Sequence, residues 1–303
     1  MKSSTATGTT ATVDPAGAPY RGRFAPSPNG LLHKGSLLAA VASWLDARAH
    51  GGTWLIRIED LDLPRVVPGA DASLLATLAR FGLFSDEPPL YQSTRFAAYR
   101  AALATLVDAG RAYLCRCARG ERSGGRCRCR DLVLQDEAGG VWRLRLGDAP
   151  IVFEDGIQGR CSYATTLLGD PVLFRRDGLA AYQLAVVVDD AFQRITDVVR
   201  GADLLESTAW QVAIGAALGC PQPRYQHVPL LTEPDGSKLA KSRRSLPVQD
   251  LDPAGTLAET LTLLGIPPPA DLKAAPVSDM LHWSVQHWTP TKIRGKRVLA
   301  LPD

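Results

Sequence analysis

An α/β fold built on a parallel sheet, with helices on both faces and an insertion interrupting it, is what this sequence predicts. Three observations carry the prediction. Residues 20–58 follow a strand–turn–helix–strand order; acidic residues sit at the carboxyl end of the second of those strands; and a long apolar, β-branched stretch returns near residue 182 after a segment of quite different character. Strands linked by crossover helices are covered on both faces, so they read as near-continuous apolar runs.

The first strand is read in "YRGRFA", from Tyr20 and ending at Pro26, and "PSPNG" is turn chemistry. Leu37, Leu38, Val41, Trp44 and Leu45 then recur at helical spacing, and Gly51-Gly52 stops the helix. "TWLIRI" is the second strand, apolar enough to be buried on both faces, with Glu59, Asp60 and Asp62 at its C-terminal end. Parallel sheets bind ligands beyond the carboxyl ends of their strands, where "NGLLHKGS" and "EDLD" both fall. Residues 71–83 and 95–109 read as helices. A Cys/Arg-rich stretch and short β-like pieces, "VWRLRL" and "IVFEDG", follow. From Tyr182, "LAVVVDDAFQRITDVVRGADLLEST" reads as buried strands ending in Asp189-Asp190 and in Arg200-Gly201.

With 303 residues, 46% hydrophobic and 21% charged, the composition is that of a soluble globular protein of one large domain or two ordinary ones. No apolar run approaches the about 18 residues of a membrane span. Residues 1–19 lack the apolar middle of a secretory signal and the arginines of a mitochondrial one, and read as a disordered leader of a cytoplasmic protein. The net charge of +3 is unevenly spread: residues 111–130 carry seven Arg against one Glu, and Lys238 to Arg244 adds four basic residues and no acidic one. Two such clusters favour a polyanionic partner. Six cysteines without a secretion signal suggest a reducing compartment, where thiols bind metal or lie buried.

In "NGLLHKGS" no Gly-Lys-Ser/Thr follows Gly30, which excludes a P-loop, and no G-x-G-x-x-G follows the first strand, which excludes a dehydrogenase fingerprint. The loop feeds a helix N-terminus, whose unpaired N–H groups and positive dipole end favour phosphate. His33 can donate to a phosphate, Lys34 can add a point charge, and Gly35 permits close approach; the alternative is an ordinary connection with an exposed histidine. "GSKLAKS" places Lys238 and Lys241 three apart, able to reach a polyphosphate or to be a solvated surface loop. Cys115-x-Cys117 and Cys127-x-Cys129 offer four thiolates for tetrahedral Zn²⁺, with gaps tighter than the usual two to four residues. Three ligands plus another group, or free thiols, are the alternatives; Cys161 and Cys220 read as buried thiols.

Taken together, "RFAPSPNGLLHKGS" resembles the first motif of the glutamyl branch of class I aminoacyl-tRNA synthetases, with "LHKG" for its HIGH tetrad. "RIEDLDLPR" and "VVVDDAFQRITDVVRGADLLEST" resemble later blocks of that branch, and "KLAKS" its KMSKS loop; all four occur in order over residues 20–242. The resemblance implies a Rossmann-like catalytic domain over 20–94 and 183–236. It implies an acceptor-binding, zinc-bearing α+β insertion over 95–182, and a KMSKS-type loop with a small helical region over 237–303. Residues 243–303 are fewer than the helical anticodon-binding domain of a full glutamyl enzyme needs. That points to the short paralogues that place glutamate on queuosine in the anticodon of tRNA(Asp).

By the same resemblance Arg23, Phe24, Ala25, Pro26 and Ser27 line the glutamate pocket, Glu59 meets the substrate ammonium, and Tyr182 and Arg200 complete the site. A dicarboxylate needs cationic partners, and paired arginines discriminate carboxylate from amide. His33, Gly35, Ser36 and Lys241 are implied at ATP, with His33, Lys241 and Lys238 catalytic and Mg²⁺ accompanying ATP. Lys34 stands where the family has an apolar residue, Ser36 where it has a second histidine. The family's zinc pattern is two Cys, a Tyr, then a Cys four residues on; that Tyr position is Gly125 here, so Cys127 would take its place beside Cys115, Cys117 and Cys129. The expected protein is a monomer. A truncated enzyme charging a tRNA 3′ end and a silent zinc-containing RNA-binding paralogue are the competing expectations.

Overall fold

The computed structural model describes residues 18–117, 127–132, 139–232 and 247–301. In chain order it contains β1 (Arg21–Phe24), α1 (Lys34–Ala49), β2 (Thr53–Ile58), α2 (Ala70–Arg80), β3 (Leu90–Tyr91), α3 (Phe96–Asp108), β4 (Ala112–Cys115), β5 (Val141–Leu144), β6 (Ile151–Asp155), β7 (Gly159–Tyr163), α4 (Thr165–Leu168), β8 (Val172–Phe174), α5 (Tyr182–Phe192), β9 (Asp197–Gly201), α6 (Leu205–Leu218), β10 (Arg224–Val228), β11 (Leu230–Thr232), α7 (Pro253–Leu263), α8 (Val277–His287) and β12 (Val298–Ala300). Seven strands form one sheet in the order β3-β2-β1-β9-β10-β6-β7, parallel except for the β6–β7 hairpin. A three-stranded antiparallel sheet, β4-β5-β8, and a parallel pair, β11-β12, stand apart.

Strand alternation decides what each face of the large sheet does. In β2, Trp54, Ile56 and Ile58 enter one core with α1, α2, α7 and α8, while Leu55 turns to the opposite face beside Val198 and Tyr225. Arg57 shares the parity of Leu55 and lies against α5, bonded to the Val186 carbonyl at 3.5 Å. In β1, Phe24 enters the first core and Arg23 reaches Asp190 of α5; in β9, Val199 enters that core and Arg200 reaches Thr208 and Gln211 of α6. Period 2 therefore sorts the arginines onto one face and the large hydrophobes onto the other. Each fully buried Leu or Ile on the apolar side stabilises the fold by about 1.5–3 kcal/mol. Buried Asp46 of α1 accepts hydrogen bonds from Tyr20, Gln226 and Trp288 at 2.6–2.8 Å, so its carboxylate is satisfied within that core.

Two sequence expectations change. Residues 182–192 form a helix, not a strand: Leu184 and Val187 lie on one helical stripe packed against α3 and α6, and tertiary burial overrides the β-branched run Val186-Val187-Val188. "IVFEDG" does form a strand, but β6 joins the large sheet, pairing Asp155 with Tyr225. The range expected for the insertion thus contributes β4, β5 and β8 to the small sheet and a hairpin to the large one.

Candidate active site

Glu59 follows β2 in the parity of Arg57, and its backbone N–H is tied to the Pro26 carbonyl at 3.0 Å, which joins the first loop to the "EDLD" segment. Arg23 gives Nε and Nη2 to the two Asp190 oxygens at 3.1 and 3.3 Å, and Arg57 bonds Asp190 Oδ1 and Gln193 Oε1. Burial raises the Asp190 carboxyl, but the two guanidiniums outweigh it and hold it at about 2. Glu59 goes the other way. Desolvation pushes it up to about 7 although Arg23, Arg57 and Arg200 pull it down, so its charge is poorly matched until a cation arrives. Tyr182 sits in the field of the same Glu59, Arg200, Arg23 and Asp190, with burial first among the causes that raise its hydroxyl. The structure therefore brings Arg23, Glu59, Tyr182 and Arg200 into one cluster. Phe24 turns into the core against Trp54, with ring centroids 6.5 Å apart, leaving only its backbone at the site. Pro26 is buried and Ser27 exposed beside half-buried Ala25.

Arg200 is 5% exposed and has no carboxylate partner among the described residues. Its Nη2 is held by Thr208 Oγ1 at 2.7 Å and Gln211 Oε1 at 2.6 Å, and its Nε donates to His227 Nε2 at 3.2 Å. His227 is locked in turn: Nδ1 lies 2.6 Å from Asp155 Oδ2, and Asp155 Oδ1 also accepts from the His227, Ile157 and Gln158 amides. Burial lowers the His227 pKa despite Asp155, so the ring is neutral, with its proton on Nδ1 and Nε2 free to accept. Nη1 of Arg200 is buried without a partner. A buried cation with an open donor calls for an anion. Sequence reading missed Arg57, Asp155, His227 and Gln211; a charged residue in phase with Glu59 inside an apolar strand is the signal that could have found Arg57.

His33 is the N-cap of α1. Its Nδ1 accepts from the Ser36 amide at 3.2 Å and its Nε2 lies 3.0 Å from Ser36 Oγ, so the neutral ring carries its proton on Nε2. Burial lowers its pKa. A Cβ on Gly35 would stand 3.1 Å from the His33 ring, so what Gly35 makes room for here is the imidazole itself. Lys34 is paired within the protein: its Nζ lies 2.7 and 2.9 Å from the two Glu259 oxygens of α7. Lys238 and Lys241 lie outside the described residues.

Cys115, Cys117, Cys127 and Cys129 converge, their sulfurs all within 4.8 Å of one another, with 3.3 Å between Cys115 and Cys127 and 3.4 Å between Cys117 and Cys129. Four sulfurs about 2.3 Å from one ion in a tetrahedron would stand about 3.8 Å apart, so the cluster fits a metal. Beside the cluster, Tyr113 Oη is 3.7 Å from Cys127 and donates to Asp170 at 2.9 Å. Asp170 also receives Arg130 and the Leu146 amide. Cys161 is buried and Cys220 half-buried.

A parallel sheet thus carries buried arginines at its strand ends and a capped helix start beside them. Residues 20–275 match the family described as tRNA synthetases class I (E and Q), catalytic domain, and the chain belongs to that family. It is 50% identical over 291 residues to a Glutamyl-Q tRNA(Asp) synthetase of Pseudomonas aeruginosa, covering 94% of this chain and 98% of that one. It is 51% identical over 266 residues to one of Burkholderia cenocepacia, covering 82% and 88%. Among solved structures it resembles glutamate-tRNA synthetase from Elizabethkingia anophelis, with a TM-score of 0.78 and 25% identity over 93% of this chain and 68% of that one.

Proposed function

We propose that the chain activates L-glutamate with ATP and transfers the glutamyl group to queuosine in the anticodon of tRNA(Asp), with no tRNA(Glu) needed. The observation that carries the first half is buried Arg200, with no anionic partner among the described residues and an open Nη1, clustered with Arg23 and with a Glu59 whose carboxyl is raised to about 7. Relatives near 50% identity that bear the Glutamyl-Q name support the second half.

In this reading Arg200 and Arg23 take the substrate side-chain carboxylate and Glu59 its ammonium, with Tyr182 closing the pocket. The α-carboxylate oxygen then attacks the ATP α-phosphorus, the bond to the β-phosphate breaks, and glutamyl-adenylate and pyrophosphate form. The protein's contribution is positioning and charge stabilisation. His33 turns its Nε2–H from Ser36 Oγ to the α-phosphate, which frees the Ser36 amide to join Gly35 at the α1 N-terminus, and Lys238 and Lys241 receive the pyrophosphate. Mg²⁺ bound with ATP supplies charge neutralisation of the phosphates. The four cysteines hold Zn²⁺ as a structural ion. The chain works as a cytoplasmic monomer.

The test uses labelled glutamate, ATP and three tRNA(Asp) preparations: queuosine-containing, queuosine-lacking, and queuosine-containing with the 3′-terminal adenosine removed. Label on the first and third only is the expected result. Label that depends on the 3′ adenosine would identify a truncated charging enzyme instead, and absence of both label and adenylate a silent RNA-binding paralogue.

A further inference from the structure

Beyond the amino-acid pocket, on the side of the small sheet, lies a cavity of about 490 Å³ whose lining includes Arg143, Gly169, Asp170, Tyr182, Gln183 and Trp210. It shares Tyr182 with the cluster just described, so its contents would lie against the activated amino acid. Two independent features make it an anion site. α5 starts here. Its N-cap, Ala181, has no side chain to offer, and the Tyr182 and Gln183 amides have no acceptor among the described residues. The first N–H groups of a helix of this length favour a negative ligand. The second feature is Arg143 of β5, only 8% exposed and without a carboxylate partner among the described residues. Its Nη1 donates to the Asp170 carbonyl at 2.6 Å, its Nε is buried with no partner, and no acceptor among the described residues meets Nη2. The Nε–Nη2 edge is the one with which arginine forks onto a phosphate or carboxylate. The Asp170 carboxylate does not fill that role, being occupied by Arg130, Tyr113 and the Leu146 amide. Trp210, anchored by Nε1 to the Gly169 carbonyl at 3.0 Å, adds an indole face to the wall.

We infer that this cavity holds a phosphodiester of the RNA strand that carries the acceptor nucleotide, with Trp210 against a neighbouring base. The inference rests on the proposed function, which already gives glutamate to Arg23 and Arg200 and the ATP phosphates to the α1 N-terminus; the remaining anion is RNA. Arginine recognises phosphate bidentately, and exposed bases of unpaired RNA stack on aromatic rings.

The experiment compares wild-type protein with Arg143→Gln, Arg143→Lys and Ala181→Asp in three assays: glutamate-dependent pyrophosphate exchange without RNA, glutamyl transfer to queuosine-bearing tRNA(Asp), and RNA affinity against salt. Arg143→Gln is expected to lower transfer kcat/KM about tenfold or more and to reduce the log–log salt slope by about one, while exchange changes less than twofold. Arg143→Lys should keep the slope and recover part of the transfer. Ala181→Asp caps the helix with its own carboxylate, so it folds at least as stably and still must lose transfer. That variant decides the matter if Arg143→Gln does not fold. Unchanged transfer and slope in Ala181→Asp, or exchange falling in parallel with transfer, overturns the site. Wild-type protein that exchanges pyrophosphate but labels no queuosine would instead overturn the proposed acceptor.

Discussion

At the carboxyl ends of β1, β2 and β9, buried guanidiniums are held by the protein's own side chains: Asp190 clamps Arg23 and Arg57, and a neutral His227, fixed by Asp155, accepts from Arg200. At the cysteine corner, four sulfurs lie within 4.8 Å of one another, two of the pairs at 3.3 and 3.4 Å. The first region is prearranged by side chains; the second is a set of four ligand atoms that could hold a metal ion. The supports differ: two neighbouring strands and a helix packed across them set Arg23 and Arg57 against Asp190, whereas the cysteines come from the end of β4, the residues after it and a 3₁₀ turn.

The contrast can be broken from either side. The largest effect is expected at Asp190→Asn, which strands two buried guanidiniums: about 3–5 kcal/mol of stability lost and a melting midpoint lower by about 6–20 °C in calorimetry. Arg200→Met should leave folding less affected and lower kcat/KM for glutamate in pyrophosphate exchange about a hundredfold or more, the cost of about 3 kcal/mol for one desolvated carboxylate partner. Cys127→Ser, or chelation, should sharpen the other side. It is expected to release one metal equivalent, read by elemental analysis, and to lower transfer to RNA more than adenylate formation. His227→Leu removes the acceptor under Arg200 Nε; KM for glutamate should rise about tenfold with kcat held within about twofold. The smallest effect belongs to Lys34→Met, which loses a partly exposed ion pair worth about 0.5 kcal/mol.

A pH profile probes the prearranged side alone. The free enzyme carries Glu59 protonated below about 7, and binding a substrate ammonium needs the carboxylate. So kcat/KM for glutamate should climb as pH rises through about 7, and Glu59→Gln should flatten that limb. Stability runs oppositely. A carboxyl raised above its unfolded value of 4.5 makes the folded state hold the extra proton, so its contribution declines as pH climbs from 4.5 to about 7.

Much of this was legible beforehand. The βαβ unit, Glu59 at a strand end and the cysteine spacing are local patterns, and the site arginines sit beside turn chemistry that fixes where strands stop. What the sequence hid was mostly relational. The run from Leu184 to Val188 has β composition, and only the presence of α3 and α6 makes it a helix whose last turn delivers Asp190 to Arg23. Asp155 and His227 are 72 residues apart, and no periodicity announces their meeting. Lys34 looked like a phosphate ligand because Glu259, its partner, is 225 residues away.

The strap Gly169–Asp170–Pro171 bears on modularity. Its carboxylate faces the cysteine corner through Tyr113 and Arg130, while its carbonyls hold Arg143 and Trp210 on the other flank. A chimaera that swaps the cysteine-bearing segment between relatives therefore cannot be spliced just after Leu146. To be transplantable, the segment must carry residues 168–174 with it, or the recipient inherits a strap with nothing to grip.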